Sequence, residues 1–208
     1  MMKLDLHILD SKTNARTAII ALHGWTGDQF VLEPVANMLK LGSVKWFFPR
    51  APYFAPTPKK KGFTWFEGSD NKGWSYQKTF DGLDNLFNQI LNEGFGKMDI
   101  FVMGFSQGAC LAMEYVLRLP FSIAGIIPIA GFIKFKDKLK LEHSQESKAT
   151  KILLMHGEED KIVDLDESKA SFKILNDLGY SVDLQTYDAG HKIPLSCRAI
   201  IEPFIESN

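Results

Sequence analysis

The sequence of 208 residues has little cysteine, no excess of either charge and no long hydrophobic run. Its two cysteines, Cys110 and Cys197, show neither metal-ligand spacing nor a disulfide framework, which favours a reducing compartment. The formal net charge of -1 argues against nucleic acid or an anionic membrane as the main partner. Apolar runs are too short to span a bilayer, and the N-terminus lacks the apolar region of a signal peptide. We therefore expect a cytoplasmic protein without a transmembrane segment.

The composition is that of a globular protein, 45% hydrophobic and 24% charged, in which short apolar runs alternate with longer segments of helical spacing. Strands are predicted at 17–22, 44–48, 99–104, 123–130, 151–155 and 181–187, with a possible antiparallel edge strand at 4–8. Helices are predicted at 33–41, 76–95, 107–119, 166–178 and 192–208, and irregular segments at 50–73 and 131–150. The alternation predicts an α/β fold of one domain over 1–208, with a mostly parallel central sheet and helices on both faces.

Two glycines flank a serine where the strand at 99–104 must become a helix, in the motif Gly104-Phe-Ser-Gln-Gly108. This Gly-x-Ser-x-Gly pattern between strand and helix is the nucleophile elbow of α/β-hydrolases, in which a strained serine needs small neighbours. Ser106 is therefore the predicted nucleophile. The N–H of Gln107, at the start of the helix, is predicted to face the oxyanion that forms beside it.

A nucleophilic serine needs a histidine as base and an acid that orients the histidine, and in this fold class both follow the serine along the chain. The loop after the strand at 151–155 offers three candidate acids, Glu158, Glu159 and Asp160. Among the five histidines, only His191 lies after these acids and at the end of a strand. The pattern predicts His191 as the base and leaves the choice of acid open.

A second oxyanion donor is expected in the loop after the strand at 17–22, where Gly24 and Gly27 allow tight turns. Two histidines, His23 and His156, occupy the same position, at a strand end before a glycine. We interpret both as structural residues that bridge loops.

These motifs resemble the small carboxylesterase/phospholipase group of α/β-hydrolases that includes the acyl-protein thioesterases. The resemblance runs from about residue 18 to 191 and depends on the order of several motifs, each weak by itself. The motifs are Leu22-His-Gly-Trp-Thr-Gly-Asp28, Phe48-Pro-Arg-Ala-Pro52, Thr64-Trp-Phe-Glu67, Gly104-Phe-Ser-Gln-Gly108, His156-Gly-Glu-Glu-Asp160 and Gly190-His191.

The resemblance implies an α/β-hydrolase fold, Asp160 as the acid of the triad and the backbone N–H of Trp25 as the other oxyanion donor. It also implies that Trp65 forms a wall of the substrate cleft, although a core tryptophan is an equal alternative. The sequence departs from the family pattern at Glu67, Ala109 and Lys161. None of these changes removes a reacting atom, so they bear on the substrate and leave the chemistry intact.

The long segments 50–73 and 131–150 are expected to form lids or walls of the binding site. Their apolar side chains would meet an acyl chain if they face the cleft: Phe54, Phe63, Trp65, Phe66, Phe132, Ile133 and Phe135. Ile162 either lines the acyl pocket or packs inside its own loop. The lysine run 59–61 either attracts an anionic leaving group or is simply solvated.

The sequence therefore predicts a serine hydrolase that cleaves carboxylic esters or acyl thioesters through an acyl-enzyme, without a metal or organic cofactor. Its partner is a small-molecule ester or an acylated substrate. A lysophospholipase or acyl-protein thioesterase for long acyl chains is an alternative within this class. A catalytically silent ligand-binding protein is the alternative from another class. A serine peptidase ranks lower because no motif marks a peptide subsite.

Overall fold

The computed structural model describes residues 2–10, 14–57 and 61–207, to which all structural statements refer. Its strands, in chain order, are β1 (Leu6–Asp10), β2 (Thr17–Leu22), β3 (Val44–Pro49), β4 (Tyr53–Phe54), β5 (Phe63–Thr64), β6 (Glu67–Ser69), β7 (Gly73–Ser75), β8 (Ile100–Phe105), β9 (Gly125–Ile129), β10 (Lys151–Gly157) and β11 (Val182–Tyr187). Its α-helices are α1 (Glu33–Met38), α2 (Gln77–Asn92), α3 (Gln107–Val116), α4 (Lys136–Glu142), α5 (Leu165–Asp177) and α6 (Arg198–Glu206).

The central sheet has the strand order β1-β3-β2-β8-β9-β10-β11. All neighbouring pairs are parallel except β1 with β3, which are antiparallel. The predicted edge strand is thus confirmed, although it begins at Leu6 and not at residue 4. Helical crossover connections return the chain to the same starting edge, so these strands run parallel. The carboxyl ends of β2, β8, β10 and β11 therefore meet at one edge of the sheet.

Helices cover the sheet on both faces, as predicted, because alternate residues of each strand point to opposite sides. In β2, Ala18, Ile20 and Leu22 belong to the core that contains buried residues of α2 to α5. Ile19 and Ala21 belong to the opposite core, with residues of α1 and α6. Burial on both faces explains why this strand reads as a continuous apolar run.

Two segments predicted to be irregular contain regular structure. Segment 50–73 contains β4, β5 and β6, which form antiparallel pairs of β4 with β5 and of β6 with β7; strands of two or three residues are too short to show alternation. Segment 131–150 contains α4, in which Leu139 is buried while the other residues are mostly charged, so the sequence has little helical periodicity. The predicted C-terminal helix begins at Arg198, after a 3₁₀ turn at Leu195–Cys197, and not at residue 192.

None of the helices in the described ranges combines the length and the hydropathy needed to cross a membrane. The two cysteines are free and buried. The assignment of 1–208 to a single domain stays a prediction.

Candidate active site

Ser106 lies between the end of β8 and the start of α3, with backbone angles φ 53° and ψ −116° that are rare for a residue with a side chain. Its flanking glycines cannot be replaced without a clash. A Cβ on Gly104 would lie 2.2 Å from the carbonyl oxygen of Gly108, and a Cβ on Gly108 would lie 2.1 Å from that of Leu22. The two glycines allow α3 to pack closely on β8 and β2, and this packing holds the serine in its strained conformation.

The Ser106 hydroxyl is 3.0 Å from Nε2 of His191, and Nδ1 of His191 is 2.6 Å from Oδ2 of Asp160. The other carboxylate oxygen of Asp160, Oδ1, accepts hydrogen bonds from the backbone N–H groups of Ile162 (2.8 Å) and Val163 (3.0 Å). Since a carboxylate only accepts, Nδ1 of His191 carries the proton and Nε2 is free to accept the serine proton.

The environment of Asp160 keeps its carboxylate ionised. Burial by itself would raise the pKa of Asp160, but the hydrogen bonds from the Val163 N–H, from His191 and from the Ile162 N–H outweigh it. The pKa of Asp160 therefore lies below its ordinary value, and the site retains a negative charge beside the imidazole.

The two remaining acid candidates are placed differently. Glu158 accepts a hydrogen bond from the Thr186 hydroxyl at 2.6 Å, and both Glu158 and Glu159 are exposed. Of the three carboxylates in this loop, only that of Asp160 has a hydrogen bond to His191 among the described residues. The structure thus brings together Ser106, His191 and Asp160, the set that the sequence resemblance implies.

Backbone hydrogen bonds hold the loops that carry the acid and the base. The Glu158 N–H donates to the Tyr187 carbonyl (2.9 Å), and the Glu159 N–H donates to the Ala189 carbonyl (3.0 Å). The hydroxyl of Tyr187 donates to the Lys192 carbonyl at 2.9 Å, just beyond the base. These bonds join the loop after β10 to the loop after β11, so Asp160 and His191 are positioned as one unit.

The N–H groups of Trp25 and Gln107 are both available as oxyanion donors. Gln107 is the first residue of α3, where N–H groups have no partner within the helix. Neither N–H donates a hydrogen bond to another residue in the described part of the chain. Gly24 places its loop against the elbow, since a Cβ on Gly24 would lie 3.4 Å from Cβ of Ser106.

Trp65 lies under the cleft and does not form its surface. The side chain is 0% exposed, and its indole N–H donates to the His23 carbonyl at 2.7 Å. The backbone N–H of Trp65 donates to the side-chain oxygen of Gln107 at 3.0 Å. The expectation of a cleft wall is corrected by this burial, and the alternative, a core tryptophan, describes the residue.

The side chain of Gln107 has a structural role that the sequence did not indicate. Its Nε2 donates to the Thr64 hydroxyl at 2.9 Å, and that hydroxyl donates to the Phe66 carbonyl at 3.0 Å. The elbow is thereby bound to segment 64–66, of which Thr64 and Phe66 line one side of the cleft. Only the presence of an amide beside the nucleophile could have signalled this contact in advance.

In the described part of the chain, two grooves reach residues of the predicted site, and a third lies beside the loop that carries Asp160. The first, of about 560 Å³, lies on the Gln107 side and is lined by Trp25, Phe54, Thr64, Phe66 and Trp74, among others. The second, of about 410 Å³, lies on the His191 side and is lined by Trp25, Val31, Val35, Phe105 and Ile193, among others. The half-exposed Trp25 separates these two grooves.

Ile162 borders the third groove, of about 700 Å³, together with residues 132–138, Val163, Asp164 and Glu167. Its side chain is 74% exposed, so it is not packed inside its own loop. The predicted apolar residues Phe132 and Phe135 line the same groove, whereas the side chain of Ile133 is buried in the core. Of the lysine run 59–61, Lys59 and Lys60 lie outside the described residues.

The sheet order, the elbow and the sequence Ser–Asp–His along the chain define an α/β-hydrolase. A model of the phospholipase/carboxylesterase family matches residues 4–208, and the chain belongs to this family.

Individual relatives support the assignment. The chain is 28% identical over 207 residues to carboxylesterase SOBER1 of Arabidopsis thaliana, covering 92% of this chain and 90% of that protein. It is 28% identical over 193 residues to acyl-protein thioesterase 1 of Debaryomyces hansenii, covering 83% and 82% of the two chains. The crystal structure of esterase PE8 superposes with a TM-score of 0.86 at 26% identity, covering 99% of both chains. The α/β-hydrolase fold and the family resemblance predicted from the sequence are confirmed.

Proposed function

We propose that this protein hydrolyses carboxylic esters or acyl thioesters through an acyl-enzyme on Ser106. The observation that carries the proposal is the continuous hydrogen-bonded series from the Ser106 hydroxyl through His191 to Asp160, with separations of 3.0 and 2.6 Å. Membership of the phospholipase/carboxylesterase family supports the same chemistry.

In the first half of the reaction, Oγ of Ser106 attacks the acyl carbonyl while Nε2 of His191 takes the hydroxyl proton. The resulting imidazolium is stabilised by the carboxylate of Asp160, which keeps its negative charge. The N–H groups of Trp25 and Gln107 donate to the oxyanion of the tetrahedral intermediate. As the intermediate collapses, the bond to the leaving group breaks, and Nε2 gives its proton to the departing alkoxide or thiolate.

In the second half, water takes the place of the leaving group. Nε2 of His191 accepts a proton from this water, whose oxygen attacks the acyl carbonyl of the ester on Ser106. A second oxyanion forms at the same two donors. Its collapse releases the carboxylic acid and returns the proton to the Ser106 hydroxyl, so no metal, redox partner or organic cofactor enters the balance.

The grooves supply places for both parts of the substrate. The leaving group must lie within reach of Nε2 of His191, and we assign it to the groove of Val31, Val35 and Phe105. Two grooves remain for the acyl chain, one lined by Phe66 and Trp74 and the other by Ile162. Aromatic side chains in the first groove favour a hydrocarbon chain, whereas the groove of Ile162 combines apolar residues with charged ones such as Lys134 and Glu167.

A long-chain thioesterase or lysophospholipase is the second candidate. The volume of about 560 Å³ beside Gln107 supports it, because that groove has room for more than an acetyl group. A matched series of p-nitrophenyl esters and acyl thioesters, from two to sixteen carbons, separates the candidates by the position of the maximum in kcat/KM. The Ser106→Ala variant is the control for each substrate.

Turnover by the wild-type protein with none by Ser106→Ala is the expected result. If the wild type were as inert as the variant on every substrate, the proposal would be wrong and the silent ligand-binding alternative would replace it. The cytoplasmic location stays a prediction that fractionation of cells can test separately.

A further inference from the structure

His23 lies directly beneath the loop that carries Trp25, and both of its ring nitrogens have hydrogen-bond partners. Nδ1 is 2.8 Å from the Gly24 carbonyl oxygen, and the backbone N–H of Ala51 donates to Nε2 at 3.1 Å. Because a carbonyl only accepts and a backbone N–H only donates, these partners select the neutral ring with its proton on Nδ1. The ring is 1% exposed, and burial lowers the pKa of His23 to about 4, in agreement with a neutral ring.

The partner of Nδ1 belongs to the peptide unit that contains the first oxyanion donor. The Gly24 carbonyl and the Trp25 N–H are two ends of one planar trans peptide, so they point in opposite directions. The carbonyl accepts from Nδ1 of His23 and also from the Gly27 N–H at 3.0 Å. Because Nδ1 of His23 keeps the Gly24 carbonyl pointing toward the His23 ring, the Trp25 N–H of the same peptide points away from that ring, to the other side of the loop.

Contacts with two other segments fix the imidazole itself. The Ala51 hydrogen bond joins it to the chain just after β3. The Trp65 ring lies against it with 4.7 Å between ring centroids, and the Trp65 indole N–H donates to the His23 carbonyl. The ring cannot turn without leaving the buried Ala51 N–H unpaired, which is costly.

We propose that His23 is a positioning residue for the oxyanion hole: its Nδ1–H orients the Gly24–Trp25 peptide so that the Trp25 N–H faces the reacting carbonyl. The proposal rests on the proposed hydrolase function and assigns a role that the triad does not include. His23 does not touch the substrate, so its effect should appear in the stabilisation of the oxyanion.

Two amide substitutions separate the two nitrogens of His23. In His23→Asn the side-chain amide lies near the position of Nδ1, so it can still donate to the Gly24 carbonyl. In His23→Gln the amide lies near the position of Nε2, so its oxygen can accept the Ala51 N–H. The Gly24 carbonyl then keeps only the hydrogen bond from the Gly27 N–H. Both variants bury one neutral amide in place of one neutral imidazole, so each is the control for the other.

The expected result is a kcat for His23→Gln lower by about 10²-fold, the smaller effect found when one oxyanion donor is lost, with KM nearly unchanged. His23→Asn is expected to keep most of the wild-type kcat. Equal kcat values for the two variants, or a higher kcat for His23→Gln, would overturn the proposal. Thermal unfolding of both variants shows whether a lower kcat comes from unfolded protein.

A measurement on the wild-type protein does not depend on turnover or on the folding of a variant. Nitrogen-15 NMR of protein labelled in its histidines, with His23 assigned through contacts to the Trp65 ring, reports which ring nitrogen carries the proton. A proton on Nδ1 that persists from about pH 8 to pH 5, where a free histidine titrates, is the expected result. A proton on Nε2 would refute the role of His23 even in an active enzyme. The expected tautomer in a protein without turnover would contradict the proposed function alone.

Discussion

The substitution Asp160→Asn tests the triad most directly, because it changes one oxygen into an amide nitrogen and leaves the shape of the side chain intact. Oδ1 of Asp160 accepts from the N–H groups of Ile162 and Val163, and these donors require an oxygen. The amide of the variant is therefore expected to turn its oxygen toward them. Its NH₂ group then faces Nδ1 of His191, where the wild-type protein has Oδ2 at 2.6 Å.

An NH₂ group can only donate, so Nδ1 of His191 must accept and the ring proton moves to Nε2. In that tautomer Nε2 cannot take the proton of the Ser106 hydroxyl, 3.0 Å away. The lost carboxylate would also no longer stabilise the imidazolium. The corresponding change in a serine protease of unrelated fold lowers kcat by about 10⁴-fold, or about 5.4 kcal/mol in the barrier. We expect a decrease of the same order here.

The assay is the steady-state hydrolysis of a short p-nitrophenyl ester, with urea unfolding to show that the variant is folded. Glu158→Gln and Glu159→Gln make the same acid-to-amide change in the same loop, at exposed carboxylates away from His191. They are expected to stay within about twofold of wild type, as surface substitutions usually do. If Asp160→Asn kept a tenth of the wild-type kcat, or if one of the control variants lost activity instead, the tautomer argument would be wrong.

Four further results are expected from stability and specificity measurements. The pKa of Asp160 is lowered by folding, so its charge stabilises the fold fully above about pH 4 and progressively less as the pH falls below that value. The thermal unfolding temperature should therefore change less between pH 5 and 3 in Asp160→Asn than in wild type. Gly104→Ala places a Cβ 2.2 Å from a carbonyl oxygen and should cost about 3 kcal/mol in urea unfolding, whereas Gly42→Ala, with open space around it, should cost far less. Glu114→Ala leaves the Phe135 N–H without its acceptor and removes one of the two carboxylates paired with Arg118, which keeps Glu142; a loss of about 1–3 kcal/mol in the free energy of unfolding is expected, and an unchanged free energy of unfolding would contradict these contacts. If the acyl chain covers two of the three carbons that Ile162→Ala removes, the variant should lower kcat/KM for an octanoyl ester by about tenfold, at about 0.8 kcal/mol for each buried CH₂, and leave the acetyl ester unchanged; equal effects on both esters would move the acyl chain to the groove of Trp74.

The sheet and the nucleophile elbow could be predicted from the sequence because their signals are local. Each inner strand is a short apolar run, and the elbow needs its glycines within five residues of each other. The acid and the base follow from chain order, since β10 and β11 lie next to each other and parallel in the sheet. The residues alone still left Glu158, Glu159 and Asp160 open, because all three are carboxylates in one loop and only the turn of that loop selects one of them.

The remaining features depend on contacts between distant segments. Whether Trp65 lines a cleft or lies in the core depends on His23, 42 residues earlier, and on Gln107, 42 residues later. The helix Lys136–Glu142 presents one buried leucine, Leu139, which is too little for a periodic pattern. In each case the sequence permits two environments, and tertiary packing decides between them.

His23 and His156 show how the sheet is connected to the loops of the site: His23 directly follows β2, His156 is the last residue but one of β10, and each precedes a glycine. His156 is fully buried, with Nε2 2.9 Å from the Val163 carbonyl and Nδ1 2.7 Å from the Ser168 hydroxyl. The N–H of the same Val163 donates to Asp160, just as the peptide that His23 holds contains the N–H of Trp25. Loop backbone lacks the regular partners of a strand, and buried polar groups without partners are costly. A short rigid side chain with two polar atoms at the strand end supplies those partners, which extends the rigidity of the sheet into the loops that carry the oxyanion donor and the acid.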